Sequence, residues 1–242
     1  MRPLTSSELV ELWERGLALP PVQRAIALAE AACAGTDGPA AADLPLGDRD
    51  RRLMLLHGLL FGPQVNGVDS CAACGAVLDV TFDLGQLMSG SAVTGDPVTV
   101  RFGDELLRCR VPTTADLIAA AEADGSDMRS GLLDRCVTVA AADGRERPGS
   151  GLPDPAVAEV MSALAAADPL ADVRLAVTCG ECGHQWDTAF DIASFLWTQI
   201  CAAAERLLGD VHVLATAYGW SEAEVLAVGP RRRRYYLEAV GG

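Results

Sequence analysis

Residues 71–84 read CAACGAVLDVTFDL, and residues 179–192 read CGECGHQWDTAFDI. The second stretch repeats the first at an offset of 108, so that Cys71, Cys74, Gly75, Asp79, Phe82 and Asp83 are answered by Cys179, Cys182, Gly183, Asp187, Phe190 and Asp191. Leu78 is matched by Trp186 and Leu84 by Ile192. Each copy is a CxxCG knuckle followed by alternating apolar and polar residues, the period of a half-buried strand. A CxxCG turn aims backbone N–H groups at its sulfurs, and glycine permits the tight backbone after the second Cys.

Two knuckles supply four thiolates, a donor set that tetrahedral Zn²⁺ prefers. Their separation along the chain is no obstacle, because loop-closure cost rises only logarithmically with length. The expectation is one structural Zn²⁺ per chain, held by Cys71, Cys74, Cys179 and Cys182 in a zinc ribbon whose two hairpin ends share the ion. Four thiolates saturate the metal and leave no position for an activated water, so the ion is read as a structural staple and not as a catalytic centre. Three rivals are weaker. Thioredoxin-like CxxC pairs open a helix, whereas these open strands. One ion per knuckle would need two further ligands apiece, hard to find among three His and the solitary Cys33, Cys109, Cys136 and Cys201. His184 could replace a thiolate, but two residues past Cys182 it reads as part of the turn.

Composition narrows the class. Half of the 242 residues are apolar, enough for one large domain or two small ones. No apolar run is long enough to span a membrane. The N-terminus, MRPLTSSELVELWERG, carries acids where a signal peptide carries its apolar run, so a cytoplasmic, reducing location is expected. There the cysteine grouping favours a metal site plus buried thiols over disulfides. Net charge is −14 and all 19 basic residues are Arg, a balance that disfavours nucleic acid and anionic membrane as partners.

Outward from the repeat, helical signals dominate both ends. Residues 5–17 begin with a capping box, Thr5 and Glu8, and place Leu9, Leu12, Trp13 and Leu17 on one face. A second helix spans 20–34, a Gly/Ala/Pro linker 35–47, and a third helix 48–61, ended by Gly62-Pro63. The 85–172 insertion is expected to hold a strand pair at 98–102 and 106–111 and a short helix from Thr114. A polar turn-rich segment at 142–151 and a helix at 155–167 complete it. Residues 173–178 alternate toward the second knuckle. From Asp191 the sequence DIASFLWTQICAAAERLL is apolar on more than one face, as a helix buried on several sides would be. Residues 210–240 read as three short helices, one with a Ser221/Glu224 capping box and a Trp220/Val225 staple, the last opened by Gly229-Pro230. The chain is thus α+β: an N-terminal helical region (1–69), a central zinc ribbon (70–192) and a C-terminal helical region (193–242).

Other chemistry is sparse. P-loop, GxGxxG, GxSxG and HExxH motifs are all missing from the sequence. His57 in a leucine-rich helix reads as a core histidine, and His212 likewise. Asp79, Asp83, Asp187 and Asp191 read as the solvated face of two matched strands, Asp191 also capping a helix. Arg231–Arg234 wraps once around a helix, so it reads as solvated surface paired with Glu222, Glu224 or Glu238, or as a dock for an acidic partner.

The segments WERG, GDRDRRLMLLHGLLFG before the first CxxCG, ADPLADVRLAVTCGECGHQWDTAFDIASFLW and VHVLATAYGWSEAEVLAVGPRRRRYYLEAV together resemble a bacterial family encoded with contractile injection systems, which are phage-tail-like particles. The family carries the label T4-like baseplate hub assembly chaperone. The resemblance covers most of the chain and is firmest over 47–74 and 167–240. It implies a non-enzymatic role, without catalytic residues, in building or completing the baseplate or hub, with tail-particle proteins as partners. Short amphipathic helices suit grooves on a partner, so residues 193–240 are expected to dock on one of them. The competing classes are a zinc-ribbon nucleic-acid or transcription accessory protein and a CxxC redox protein.

Overall fold

The computed structural model describes residues 1–33, 38–89, 97–123, 127–141 and 145–241. Parts of the expected linker (35–37) and of the polar segment (142–144) lie outside them. Helices α1 (Ser6–Leu17), α2 (Pro21–Cys33) and α3 (Leu46–Phe61) lead into strands β1 (Gln64–Ser70) and β2 (Val77–Asp83) and a short α4 (Leu84–Met88). The insertion contains β3 (Val98–Phe102), β4 (Glu105–Cys109), α5 (Thr114–Glu122), α6 (Met128–Cys136), β5 (Val137–Ala140), β6 (Glu146–Pro148) and α7 (Asp154–Ala167). Strands β7 (Arg174–Thr178) and β8 (Gln185–Ala189) then lead into α8 (Ile192–Tyr218), α9 (Glu222–Ala227) and α10 (Pro230–Gly241). The fold is α+β, with three antiparallel sheets ordered β1-β2, β3-β4-β5-β6 and β7-β8.

The helices at the two ends of the chain share one core. Leu12, Leu28, Leu53 and Leu56 from α1 to α3 meet Leu196 and Ile200 of α8, all fully buried. Each such side chain stabilises the fold by roughly 1.5–3 kcal/mol. Phe82 and Phe190, the matched aromatics of the repeat, pack on the edge of this core. The hairpins are therefore anchored by their bases, leaving their knuckles at the free ends. A second core lies wholly inside the insertion, where Leu107, Cys109 and Val139 of the sheet face Ala156 and Val160 of α7. Cys109 and Cys136 are buried here, while Cys33 and Cys201 are half-buried.

A buried carboxylate joins the two parts. Asp168, just past α7, accepts a hydrogen bond at 2.9 Å from the Gly47 N–H in the first turn of α3. Pro45, the N-cap of α3, has no side-chain cap of its own to offer, so a residue far along the chain satisfies this orphan donor. Glycine is required at 47, since a Cβ there would lie 1.7 Å from Asp168 Oδ1.

Several elements differ from expectation. Residues 210–218 continue α8 instead of forming a separate short helix, so that α8 runs unbroken to the left-handed cap at Gly219. Strand β1 has no alternation to announce it: Val65 is buried and Val68 exposed on the opposite face. Helix α6 and strand β5 also went unforeseen, and β6, inside the polar segment, exposes all three of its residues. Pairing with β5 and the Arg147–Glu105 ion pair (2.9 Å) hold β6, and neither leaves a pattern in its own sequence. Leu17, placed on the buried face of α1 by its spacing, is exposed beyond the core-facing turns. The capping boxes at Thr5/Glu8 and Ser221/Glu224 form as expected, and Val225 is fully buried. Among the described residues no helix is long and apolar enough to cross a membrane.

Candidate metal centre

Each knuckle is the connection of a hairpin. In the first, Ser70 pairs with Val77 across the CAACGA turn; in the second, Thr178 pairs with Gln185 across CGECGH. The two turns are built alike. The Cys71 N–H donates to Ala76 O at 2.9 Å and the Gly75 N–H to Cys71 O at 2.8 Å. Their counterparts, Cys179 to His184 O and Gly183 to Cys179 O, measure 2.8 and 2.9 Å. Gly75 and Gly183 share a φ of +74°, the left-handed conformation that glycine adopts without steric cost.

The tips of the two hairpins meet. Cys71 Sγ lies 3.7 Å from Cys182 Sγ, and Cys74 Sγ lies 3.7 Å from Cys179 Sγ. All four sulfurs fall within 4.8 Å of one another, and among the described residues this is the one group of His, Cys, Asp or Glu donors so gathered. The first cysteine of each knuckle thus faces the second of the other, as an approximate two-fold axis between the hairpins requires. A tetrahedron with metal–sulfur bonds of about 2.3 Å has edges of about 3.8 Å, so these sulfurs are spaced to hold a four-coordinate ion. Cys71 and Cys179 are 2% exposed while Cys74 and Cys182 face solvent, which shields one side of the centre and leaves the other open.

The sulfurs cannot all ionise together without a cation. The Ala76 N–H favours the Cys74 thiolate, but the sulfurs of Cys182, Cys179 and Cys71 and desolvation outweigh it, pushing Cys74 up to about 12. Cys179 is drawn down to about 7, chiefly by the Cys182 N–H and further by that of Glu181. Backbone donors thus do point at the sulfurs, and a divalent ion would supply the missing positive charge.

Contacts behind the knuckles set the approach of the hairpins. Trp186 Nε1 donates to Asp69 Oδ2 at 3.1 Å, and His184 stacks on Trp186 and is not among the four gathered donors. At the hairpin bases Phe82 meets Phe190 edge-on, with centroids 4.9 Å apart. The repeated aspartates divide by position. Asp79 and Asp187 are exposed on the strands, whereas Asp83 and Asp191 are the N-caps of α4 and α8. Asp83 accepts from the Gly85 and Gln86 N–H groups at 2.8 and 3.3 Å, and Asp191 from Ala193 and Ser194 at 2.9 and 3.2 Å. Capping by Asp83 was missed because α4 is only one turn long.

The remaining candidates lie away from the centre. His57 is buried in the main core with its ring 5.5 Å from both Phe61 and Phe195, and burial lowers its pKa. His212 is exposed on α8. The arginine run departs from expectation. Arg233 is buried, pairs with Asp210 of α8 at 3.1 Å and donates to Ser6 Oγ at 3.2 Å, so it locks α10 onto α8 and the start of α1. Comparisons with protein-family models, curated proteins and solved structures give no match for this chain.

Proposed function

We propose that the four-cysteine centre binds one structural Zn²⁺ as a zinc ribbon and that the protein is a non-enzymatic assembly factor for the baseplate or hub of a contractile, phage-tail-like particle. The observation that carries the metal assignment is the spacing of four sulfurs from two pseudo-symmetric knuckles, which fills the coordination of the ion with thiolate. Bound there, zinc would act as a cross-link between hairpins. The chain's own residues do the rest: Trp186 and Asp69 set the approach of the tips, and Asp191 starts α8 directly from the second hairpin. The particle assignment rests on the sequence resemblance. Its support here is that α8 starts directly after the second hairpin and carries α9 and α10, which pack on it and leave Tyr235 and Glu238 of α10 exposed.

The test is an affinity pull-down from the native cell, with mass spectrometry and metal analysis on one sample. About one zinc per chain, with sheath, tube, hub or baseplate proteins enriched, is the expected result. Recovery of nucleic acid without tail proteins would favour the transcription-accessory class, and metal loss on mild oxidation with gain of reductase activity would favour a redox protein. Truncation at residue 210 is a poor companion experiment, because it would strip Leu214, Val225 and Arg233 from the packed core.

A further inference from the structure

Every tyrosine of the chain lies in one surface cluster. Tyr218 ends α8, Trp220 follows the left-handed Gly219, and Tyr235 and Tyr236 sit on α10. Tyr218 stacks on Trp220 with centroids 5.1 Å apart and planes 26° apart, and Tyr236 stands edge-on to both. Tyr235 extends the cluster outward at 6.0 Å from Tyr236. Aromatics are 5% of this chain, yet Tyr235 is 69% exposed and Tyr218 42%. The fold gains little burial from rings left in that position.

The helix beneath them divides its arginines. Arg233 turns inward to Asp210, while Arg231, Arg232 and Arg234 are exposed and make no ion pair among the described residues. Tyrosine, tryptophan and arginine are the residues that dominate binding energy at protein interfaces. Rings already stacked on one another lose little freedom when a partner arrives.

We propose that the surface formed by Tyr218, Trp220, Tyr235 and the outward Arg231 and Arg232, four and three residues before Tyr235 on the same face of α10, docks an acidic protein segment that also carries aliphatic side chains. Charge selects this occupant. Unpaired guanidinium groups present forks that match carboxylates bidentately, and the adjacent rings cover aliphatic side chains. A polynucleotide would also engage Arg and aromatic rings, but its phosphates would run past the patch into the field of a chain whose net charge is −14. A short acidic segment is neutralised locally and ends. The inference deepens the docking role proposed above by naming the face and the charge of the partner; it excludes the side of α8 that Leu196, Ile200 and Leu207 turn into the core.

Fluorescence anisotropy with the full-length, metal-bound chain tests it. The probes are a labelled peptide Glu-Glu-Leu-Glu-Glu-Leu-Leu-Glu-Glu, its Lys/Leu counterpart and a single-stranded thymidine oligonucleotide. The Glu/Leu peptide should bind, and the other two should not. Binding should weaken about tenfold or more in the Arg231→Ala/Arg232→Ala double variant and in Tyr235→Ala. It should also fall as salt rises from about 50 to about 300 mM. Arg108→Ala, an exposed arginine on the insertion sheet, should bind as wild type. All variants remove exposed side chains, and an unchanged thermal midpoint confirms that each is folded. Equal peptide binding by the patch variants, absence of peptide binding, or tighter binding of the oligonucleotide would overturn the proposal. None of these outcomes depends on tail proteins, so failure here and failure of the particle assignment remain separable.

Discussion

Replacing Cys74 with serine removes one sulfur of the four, and its consequence follows from what the centre connects. Cys74 and Cys179 are 105 residues apart in the chain and 3.7 Å apart in space. A cross-link closing a loop of about 100 residues restricts the unfolded chain by about 4–5 kcal/mol. Without the proposed ion, the hairpins are joined mainly by the Trp186–Asp69 hydrogen bond and the Phe82–Phe190 contact. Those supply about 1 kcal/mol each, so they do not replace the link. The core of α1–α3 and α8 does not pass through the knuckles and should persist. For a chain of this size each kcal/mol shifts the melting midpoint by about 2–4 °C, so the expected fall is about 8–20 °C, with far-ultraviolet helical signal largely kept. Calorimetry under reductant, paired with zinc analysis, measures both halves. Cys182→Ser should match Cys74→Ser because the two positions are related by the pseudo-two-fold, while Cys201→Ala should retain the metal. A metal-free Cys74→Ser protein melting within about 2 °C of wild type would refute the staple, as would wild-type chain purified under reductant without metal.

Gly47→Ala should cost about 3 kcal/mol in urea unfolding, because the new Cβ evicts Asp168 and leaves a buried N–H and carboxylate unpaired. Arg233→Ala should cost about 2–3 kcal/mol by stranding Asp210, which is partly solvated and so falls short of a fully enclosed pair. Arg232→Ala should be nearly neutral in the same assay. Asp191→Ala, removing the cap of α8, should cost about 1–2 kcal/mol. Acid sensitivity should trace to Asp116: burial opposes its ionisation, but Arg110 and the Thr113 N–H and hydroxyl outweigh that and hold it well below the ordinary carboxylate range. A depressed folded value gives stability that is present above the unfolded value of about 3.9 and lost as pH falls through it toward the folded value. Urea midpoints across pH should therefore fall below about pH 4, and Asp116→Asn should be less stable at neutral pH with a flatter acid limb.

The ends of the chain were legible because their signals are local. A capping box such as Thr5/Glu8 is completed within four residues, and the alternation of VLDVTFD is visible along one strand. Strand β1 was hidden because its sequence, QVNGVDS, places one Val on each face; it forms because β2 supplies seven pairing partners. The same holds for β6, whose three residues are all exposed. The arginine run misled for a related reason. Four identical residues in a helical turn look equivalent, and partners on other helices, the Asp210 carboxylate and the Ser6 hydroxyl, distinguish Arg233 from its neighbours.

Sequence alone determined the donor set and the local form of each half-site, since CxxCG dictates the turn and the residues after it dictate a strand. It could also show that the halves match, because the repeat is written in the residues. Tertiary structure decided that the knuckles meet, that Cys71 faces Cys182 and Cys74 faces Cys179, and that Asp168 reaches back to cap α3. Backbone geometry acts over a few residues and leaves periodic traces, whereas these contacts arise from packing between elements more than a hundred residues apart, where neither partner's neighbours carry any record of the other.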